Sequence, residues 1–330
     1  MEKRRLGEGG PEVGAMGMGC WAIGGGPWRF DGRPAGWGRV DDEESVRAIH
    51  RALDLGVTFF DTADVYGCGH SERVLGRALR SHRDGAVIAT KFGLLFDESS
   101  RTGSGADAGP EYIRKACEGS LRRLGTDHID VYQLHAGAED AAGAEEVVET
   151  LEELVAEGKI RAYGAAVDAP EVVRVFAQGE HCASVQTQVN VFGADKEVIG
   201  ICEERGLAAV ARSPLAMGLL TGKYAPGKNV PPDDVRRDTP HWDYFDEGAM
   251  EGWTQKLEAV RQALTEGGRT LAQGSLAWIW AYSDVAIPIP GFKTVSQVEE
   301  NAGAMRLGPL SEEAMASIDR TLGRRARASS

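Results

Sequence analysis

Four ionisable side chains follow consecutive short apolar segments of the sequence. Asp61 and Tyr66 follow the second segment, Lys91 the third, and His135 the fourth. Neighbouring parallel strands lie about 4.8 Å apart, so side chains at their carboxyl ends would converge at one mouth. There the Lys91 ammonium would favour the phenolate of Tyr66 and lower its pKa, while Asp61 keeps Lys91 charged. The set predicts that Tyr66 protonates a carbonyl oxygen as hydride reaches its carbon, with His135 donating a second hydrogen bond.

Each of the four side chains also has a plainer interpretation on its own. Lys91 alone is typical of a solvated charge, Tyr66 of a half-buried rim residue, His135 of a hydrogen-bonded surface histidine, and Asp61 of a turn or helix cap. A metal ion is the competing use of Asp61 and His135, but Lys91 would repel a cation and no second histidine shares the spacing. The sequence therefore predicts acid–base chemistry here and no metal.

The elements that must position these groups alternate regularly along the chain. Eight short apolar segments are separated by amphipathic stretches, which indicates parallel strands joined by right-handed crossovers. A doubly wound sheet would alternate in the same way, but no Gly-x-Gly-x-x-Gly follows the first strand, and polar residues follow many different strands. The pattern favours an α/β protein, a closed (β/α)8 barrel forming one domain over residues 1–330. The predicted strands are 15–20, 58–60, 86–90, 129–134, 160–165, 184–188, 208–211 and 285–289.

Additions to this barrel are predicted at both ends and in three loops. Residues 4–6 and 11–13 indicate a β-hairpin cap, and helices after Ser296 and Ser311 are extra C-terminal elements. The stretch 24–39 is predicted to be a loop, 101–107 a mobile loop at most, and 221–253 a long polar insertion.

Composition excludes several classes of partner. The 330 residues carry a net charge of −13, so no broad basic face is available for nucleic acid or an anionic membrane surface. The sequence contains no apolar run of about 18 residues that would span a membrane. Five scattered cysteines without a Cys-x-x-Cys pair predict neither disulfides nor structural zinc, and favour a cytoplasmic setting.

Several motifs together resemble the aldo-keto reductase family, in the branch that includes the potassium-channel β-subunit-like proteins. The matching stretches run in order over about residues 5–301: Gly19-Cys20-Trp21, Phe60 to Gly67 with Ser71-Glu72, Ala89-Thr90-Lys91, Arg122 to Asp127, Asp130 to His135, Ser213-Pro214-Leu215, Thr221 to Tyr224, Ile289-Pro290-Gly291 and Glu300-Asn301. The resemblance implies the (β/α)8 fold, an NADPH-dependent carbonyl reductase, and a catalytic tetrad at Asp61, Tyr66, Lys91 and His135.

The end of the eighth strand is a predicted phosphate site. Residues 289–294 are glycine-bearing and precede a helix, a place where barrels bind phosphate. Lys293 would be a point-charge partner for a 2′-phosphate and favour NADPH over NADH, although a solvated loop lysine is the plainer interpretation. The resemblance places further cofactor contacts at Cys20, Trp21, Asp61, Gln186, Arg212, Ser213, Leu215, Gly218, Lys223, Gly291, Gln297, Glu300 and Asn301.

Two positions depart from the family pattern. Residues 164–167 offer no side-chain donor for the nicotinamide carboxamide, so Gln186 would carry more of that role. Arg212 stands where the family commonly has an aromatic residue under the nicotinamide ring. A planar guanidinium can stack there, but it would oppose a cationic ring, which leads to the hypothesis that Arg212 biases the enzyme toward reduction. A salt-bridged structural arginine is the alternative.

Substrate walls are expected from aromatic residues of the variable loops. The predicted contacts are Trp21, Trp28 and Trp242, together with Tyr66 and His135. The carbonyl compound stays open among small aldehydes, keto-sugars and larger ketones. Two other functions compete with a reductase: a cofactor-binding scaffold or redox sensor of the channel-subunit type, and an isomerase or aldolase that uses Lys91 as a Schiff base.

Overall fold

The computed structural model describes residues 3–138, 140–224 and 230–324, and its centre is a ring of eight parallel strands. Every neighbouring pair along the ring is parallel, and a parallel bridge between Gly19 and Gly291 joins its two ends. The barrel strands are β1 (Gly17–Gly19), β2 (Phe59–Asp61), β3 (Val87–Phe92), β4 (Ile129–Leu134), β5 (Ile160–Ala165), β6 (Cys182–Asn190), β7 (Ala208–Arg212) and β8 (Ala286–Pro288). The predicted (β/α)8 barrel is confirmed.

Helices alternate with these strands along the chain. Those before β7 each connect two consecutive strands, and α9, which follows β8, packs between α1 and α8 on the outside of the barrel. The helices are α1 (Asp42–Asp54), α2 (His70–Leu79), α3 (Pro110–Leu124), α4 (Ala141–Ala156), α5 (Pro170–Phe176), α6 (Lys196–Arg205), α7 (Ala249–Leu264), α8 (Leu271–Tyr282), α9 (Val295–Leu307) and α10 (Glu312–Thr321). The two helices predicted after Ser296 and Ser311 are α9 and α10. Within the described ranges, no helix combines the length and apolar character that crossing a bilayer requires.

The lower half of the barrel interior is apolar. Alternate residues of each strand face inward, and the inward set there includes Phe59, Val131 and Val210. The predicted N-terminal hairpin, Lys3–Arg5 paired antiparallel with Glu12–Gly14, closes this end of the barrel. Its Leu6 and Val13 are buried among the same inward residues. The hairpin cap is therefore part of the core.

The upper half of the interior is polar, because the inward alternation continues into charged and amide residues. Asp61 stands two positions after Phe59 on β2, and Gln133 two positions after Val131 on β4. Lys91 of β3 pairs in register with Gln133. Polar side chains are thus held inside the mouth by the same strands that build the apolar floor.

The predictions for the loops at 24–39 and 101–107 were wrong. Thr102–Ala106 is a strand that pairs with Leu94–Asp97 and Arg29–Phe30, and Arg33–Pro34 completes a four-stranded sheet beside the mouth. These strands are two to five residues long, and Thr102–Ala106 holds two glycines and a serine, so neither periodicity nor strand propensity indicates it. Backbone pairing between distant loops decides their conformation.

The predicted insertion 221–253 is only partly irregular. It contains a 3-10 helix at Val235–Arg237, and its last residues already belong to α7, which begins at Ala249. Residues 225–229 of the insertion lie outside the described residues. Two backbone contacts join the insertion to the first loop: a bridge between Trp37 and Asp234 and a 2.7 Å hydrogen bond from Val235 N to Gly36 O.

Candidate active site

A fully buried ammonium joins β2 and β3 at the mouth of the barrel. Lys91 Nζ donates to Asp61 Oδ1 at 2.6 Å, to Thr62 O at 2.8 Å and to Tyr66 Oη at 3.4 Å. All three of its donors are used, and the side chain has no exposed surface. Burial alone would lower the pKa of Lys91, but Asp61 and Tyr66 outweigh burial and hold this pKa above its ordinary value. Lys91 is therefore a charged group at neutral pH.

Two glutamines hold the second oxygen of the aspartate. Asp61 Oδ2 accepts from Gln133 Nε2 at 2.9 Å and from Gln186 Nε2 at 2.8 Å. Sequence reasoning missed Gln133, although its position two residues before His135 on one face of β4 was the available signal. Gln186 was predicted to bind the nicotinamide carboxamide, and its amide nitrogen is engaged by Asp61 instead. The carboxylate is thus fixed from three strands.

Tyr66 lies at the centre of an aromatic group. Its ring stacks on Trp21 with centroids 5.7 Å apart and meets His135 edge-on at 5.9 Å. The next residue, Gly67, has φ +63°, and a Cβ there would stand 1.9 Å from Gly24 O, so only glycine lets this turn seat against the first loop. The turn therefore fixes where the phenol points.

The pKa of Tyr66 corrects the sequence-based expectation. Burial raises this pKa above its ordinary value, and the opposing effect of Lys91 offsets burial only in part. The expectation that Lys91 lowers the pKa overall was wrong, because the desolvation of the phenol was not readable from sequence. The phenol therefore stays protonated through neutral pH, and Lys91 stabilises negative charge only as it develops on the oxygen.

His135 follows β4 and is a neutral imidazole at neutral pH. Its backbone N–H donates to Phe92 O at 2.8 Å, which anchors it to the neighbouring strand. Burial, with the positive charges of Lys91 and Arg212, holds the pKa of His135 well below its ordinary value. Its Nδ1 is buried and has no partner among the described residues. A neutral imidazole N–H can donate a hydrogen bond without competing as an acid.

Cys20, predicted as a cofactor contact, lies beneath the four ionisable residues. Its backbone N–H donates to Asp61 O at 2.8 Å, and its carbonyl accepts from Ser71 Oγ at 2.8 Å. The Cys20 side chain is fully buried, and burial raises the pKa of its thiol. The structure therefore places Cys20 as backbone support that links β1, β2 and α2.

Arg212 at the end of β7 belongs to an ion pair. Its guanidinium donates to a carboxylate oxygen of Asp168, a residue that follows β5. Thr187 Oγ1 of β6 donates to the other oxygen of Asp168 at 2.8 Å. The structure thus bears out the salt-bridged alternative for Arg212, and sequence reasoning missed Asp168 because a lone loop aspartate gives no signal.

The predicted pyrophosphate segment after β7 is a chain of tight turns. Ser213 has φ +50° and Gly218 φ +94°, with Ala216 and Met217 also in the left-handed region. Asn190 Nδ2 of β6 donates to Ser213 O at 3.1 Å and fixes the start of the segment. Leu215 is buried beneath it. The backbone is thereby held across the mouth between β7 and the insertion.

Positive charge is crowded at the far side of the mouth. Arg236 donates to both oxygens of Asp234 and to Tyr224 Oη, and Lys293 Nζ donates to Trp37 O. Burial and the neighbouring Arg236 lower the pKa of Lys223, and burial likewise lowers that of Lys293. Asp234, Asp233 and Glu300 act on these cations in the opposite sense. A cluster of cations that comes from separate segments fits a ligand that carries phosphate groups.

The predicted adenosine side lies at the start of α9. Gly291 meets Gly19 across the closure of the barrel, and a Cβ on Gly291 would stand 3.9 Å from Gly19 O, an ordinary contact distance. Gln297 Oε1 accepts from Lys293 N at 2.7 Å and so shapes the turn before the helix. Glu300 is exposed one turn further, whereas Asn301 is buried. The structure therefore ties Gln297 to the turn before α9, leaves Glu300 exposed and buries Asn301.

The predicted substrate aromatics divide into two groups. Trp242 lies 6.4 Å from Trp21, ring centroid to centroid, and its Nε1 donates to Gln188 Oε1 at 2.5 Å. Beside it opens a cavity of about 530 Å³ whose lining includes Trp242 and Tyr244. Trp28 is only 4 % exposed and packs behind Trp21 and Tyr66. Trp28 therefore belongs to the buried cluster against which Trp21 and Tyr66 pack, and Trp242 lines the cavity.

The described chain is thus a closed parallel barrel with Asp61, Lys91 and Tyr66 joined at its mouth and clustered cations at its rim. Residues 15–322 match the model of the aldo/keto reductase family. The chain belongs to this family.

Relatives and solved structures agree with that assignment. Aldo-keto reductase yakc of Schizosaccharomyces pombe, whose name specifies NADP(+), is 33% identical over 89% of this chain and 84% of its own. The glycerol dehydrogenase of Gluconobacter oxydans is 31% identical with a TM-score of 0.82, covering 97% of this chain and 95% of that one. An aldo/keto reductase of Klebsiella pneumoniae, solved with NADP and acetate, is 28% identical with a TM-score of 0.72, covering 100% and 98%.

Proposed function

We propose that the protein is an NADPH-dependent reductase that converts an aldehyde or ketone to an alcohol. The observation that carries the proposal is the buried ammonium of Lys91, which bonds Asp61 and reaches the Tyr66 phenol at 3.4 Å. The crowded cations at Lys223 and Lys293 suit the phosphates of NADPH, and relatives and structural neighbours carry NADP in their names or crystals. Bound NADPH would supply the hydride.

The residues of this chain would manage the proton and the charge. Tyr66 would donate its phenolic proton to the carbonyl oxygen as negative charge grows there. Lys91 would stabilise the phenolate left behind, and Asp61 keeps Lys91 oriented and charged. His135, held neutral, would donate a hydrogen bond to the same oxygen from the other side. Because the Tyr66 and His135 donors would already be in place when the substrate binds, they would lower the activation barrier without any cost of reorganising the site.

The wall residues would select the substrate. Trp21 stacks on the phenol and Trp242 lies beside Trp21, and both suit apolar or sugar-like faces. A small-molecule carbonyl compound is therefore the proposed partner. Five cysteines without disulfides support a cytoplasmic enzyme, which also stays a proposal.

The direct experiment follows NADPH oxidation against a panel of aldehydes and ketones. Tyr66→Phe removes the acid but keeps the ring stacked on Trp21, so turnover should fall by about 10²–10⁴-fold while NADPH still binds. Full turnover in this variant would remove Tyr66 from the mechanism. Tyr112→Phe, a tyrosine on α3 away from the four ionisable residues, is the matched control.

A binding scaffold or redox sensor with little turnover is the alternative function. All four ionisable residues are retained, Lys91 is hydrogen-bonded to Asp61 and Tyr66, and the His135 ring meets Tyr66 edge-on, an arrangement that a scaffold would not need. Single-turnover hydride transfer separates the two: a scaffold would bind NADPH and leave it unoxidised in the presence of every carbonyl tested.

A Schiff-base isomerase or aldolase is disfavoured by the state of Lys91. An amine must be unprotonated to attack a carbonyl, and Lys91 is held charged with all three donors bonded. Borohydride should therefore trap no substrate adduct on Lys91.

A further inference from the structure

The ion pair of Arg212 and Asp168 stands beside the reacting groups. Arg212 is two residues after the inward-facing Val210 of β7, so its side chain rises from the interior face of the barrel into the mouth. Its side chain is 25 % exposed, and that of Asp168 is 49 % exposed. Thr187 of β6 holds the second oxygen of Asp168 at 2.8 Å. One carboxylate thus links the loop after β5 to the ends of β6 and β7.

The two charges act with opposite signs on the same surroundings. Arg212 contributes to the lowered pKa of His135, after burial and Lys91. The pKa of His241 is lowered by burial first and then by Arg212, whereas Asp168 opposes that lowering. Both charges therefore act on the residues at the barrel mouth, and the Asp168 carboxylate offsets part of the electrostatic effect of the Arg212 guanidinium.

This compensation matters for a cofactor whose charge changes in the reaction. The nicotinamide ring is neutral when reduced and positive when oxidised, so an unpaired guanidinium beside it would weaken binding of the oxidised form alone. We propose that Asp168 is a positioning residue that neutralises Arg212 and thereby sets the relative affinity of the site for oxidised and reduced cofactor. The inference rests on the proposed function, and it revises the expectation that Arg212 alone biases the enzyme toward reduction.

The test measures the dissociation constants of NADP+ and NADPH by fluorescence titration, independently of turnover. Asp168→Asn leaves Arg212 uncompensated, so the ratio of the NADP+ constant to the NADPH constant should rise about tenfold, equivalent to about 30 mV for a two-electron couple. Arg212→Met leaves Asp168 uncompensated, so the same ratio should fall. The double variant should return close to the wild-type ratio.

Three further variants separate charge from shape. Asp168→Glu keeps the charge, so the ratio should stay within about twofold of wild type. Thr187→Val removes the hydrogen bond but neither charge, and Glu171→Gln removes a nearby exposed charge that has no bond to Arg212 in the described structure. Both should leave the ratio unchanged, and thermal melts report whether each variant is folded.

The proposal is overturned if Asp168→Asn and Arg212→Met move the ratio in the same direction. It is also overturned if each variant weakens NADP+ and NADPH equally, which a purely structural ion pair would do. Failure of the proposed function reads differently, because the wild-type protein would then bind neither cofactor form or, as a scaffold, would bind NADPH and leave it unoxidised with every carbonyl tested.

Discussion

The two sides of the barrel mouth are built differently. On the β2–β4 side, Asp61 and Lys91 stand on strands, are buried, and pair at 2.6 Å, and Gln133 of β4 donates to the same carboxylate at 2.9 Å. On the β7–β8 side, the residues expected to bind cofactor lie on loops that are joined across the mouth, such as Lys293 to Trp37 and Val235 to Gly36. Side chains on strands are held more precisely than side chains on loops. We therefore expect the residues proposed for catalysis to be fixed and those proposed for cofactor binding to adjust more.

The largest expected effect tests that difference with one substitution on each side. Lys91→Met leaves the buried Asp61 carboxylate without its charge partner, which should cost about 3–5 kcal/mol of the free energy of unfolding. Lys293→Met should cost less than that, because Lys293 is only partly buried and its ammonium donates to a backbone carbonyl, a contact worth about 1.5–3 kcal/mol. Urea denaturation measures both. Equal losses in the two variants would erase the distinction, and Asp61→Asn added to Lys91→Met should recover part of the stability.

The second prediction concerns the amides that hold Asp61. Gln133→Leu removes one hydrogen bond to a charged acceptor, a loss of ~1.5–3 kcal/mol, and we expect kcat to fall about tenfold or more with KM little changed. Gln188→Leu is the matched control on β6, because Gln188 bonds Trp242 and Tyr244 instead. Steady-state kinetics should show its effect mainly in KM. An effect of Gln133→Leu mainly on KM, together with an effect of Gln188→Leu mainly on kcat, would contradict the proposed division between catalytic and binding residues.

The third prediction isolates the binding side. Lys293→Met should weaken NADPH about tenfold, as expected for loss of a charge-assisted contact, and should change NADH affinity little, since NADH lacks the 2′-phosphate. Cofactor titration at two salt concentrations checks both points. Lys256→Met, another lysine that lies over an aromatic ring of the insertion side, is the control and should change neither. A parallel loss of NADH affinity would place Lys293 elsewhere on the cofactor.

The smallest expected effect concerns the pH dependence of kcat/KM, which should neither rise nor fall near neutral pH. The pKa of His135 is lowered from its ordinary value, so the imidazole is neutral at every pH above about 6.5. The pKa of Tyr66 is raised, so the phenol keeps its proton at every pH below about 10. The kcat/KM for carbonyl reduction should therefore stay flat between roughly pH 7 and 9. A limb inside that window would show that one of these two residues has been assigned the wrong state.

The sequence predicted the strand side of the site better than the loop side. Strands β4 and β5 matched their predicted bounds, and the four ionisable residues were found because strand ends and inward alternation follow from local pattern. Gln133 could have been found by the same alternation. Asp168 could not, since its partners Arg212 and Thr187 come from strands that are distant in the chain.

The sequence alone determined the barrel, its apolar floor, and the types of residue that follow the ends of β2, β3 and β4. These features were readable because the alternation of side chains and the order of the strands depend on residues close in the chain. Tertiary structure alone decided that burial keeps the Tyr66 phenol protonated and that Asp168 pairs with Arg212. It likewise decided that residues 102–106 form a strand. Each of these depends on desolvation or on partners distant in sequence, and both are properties of packed neighbours.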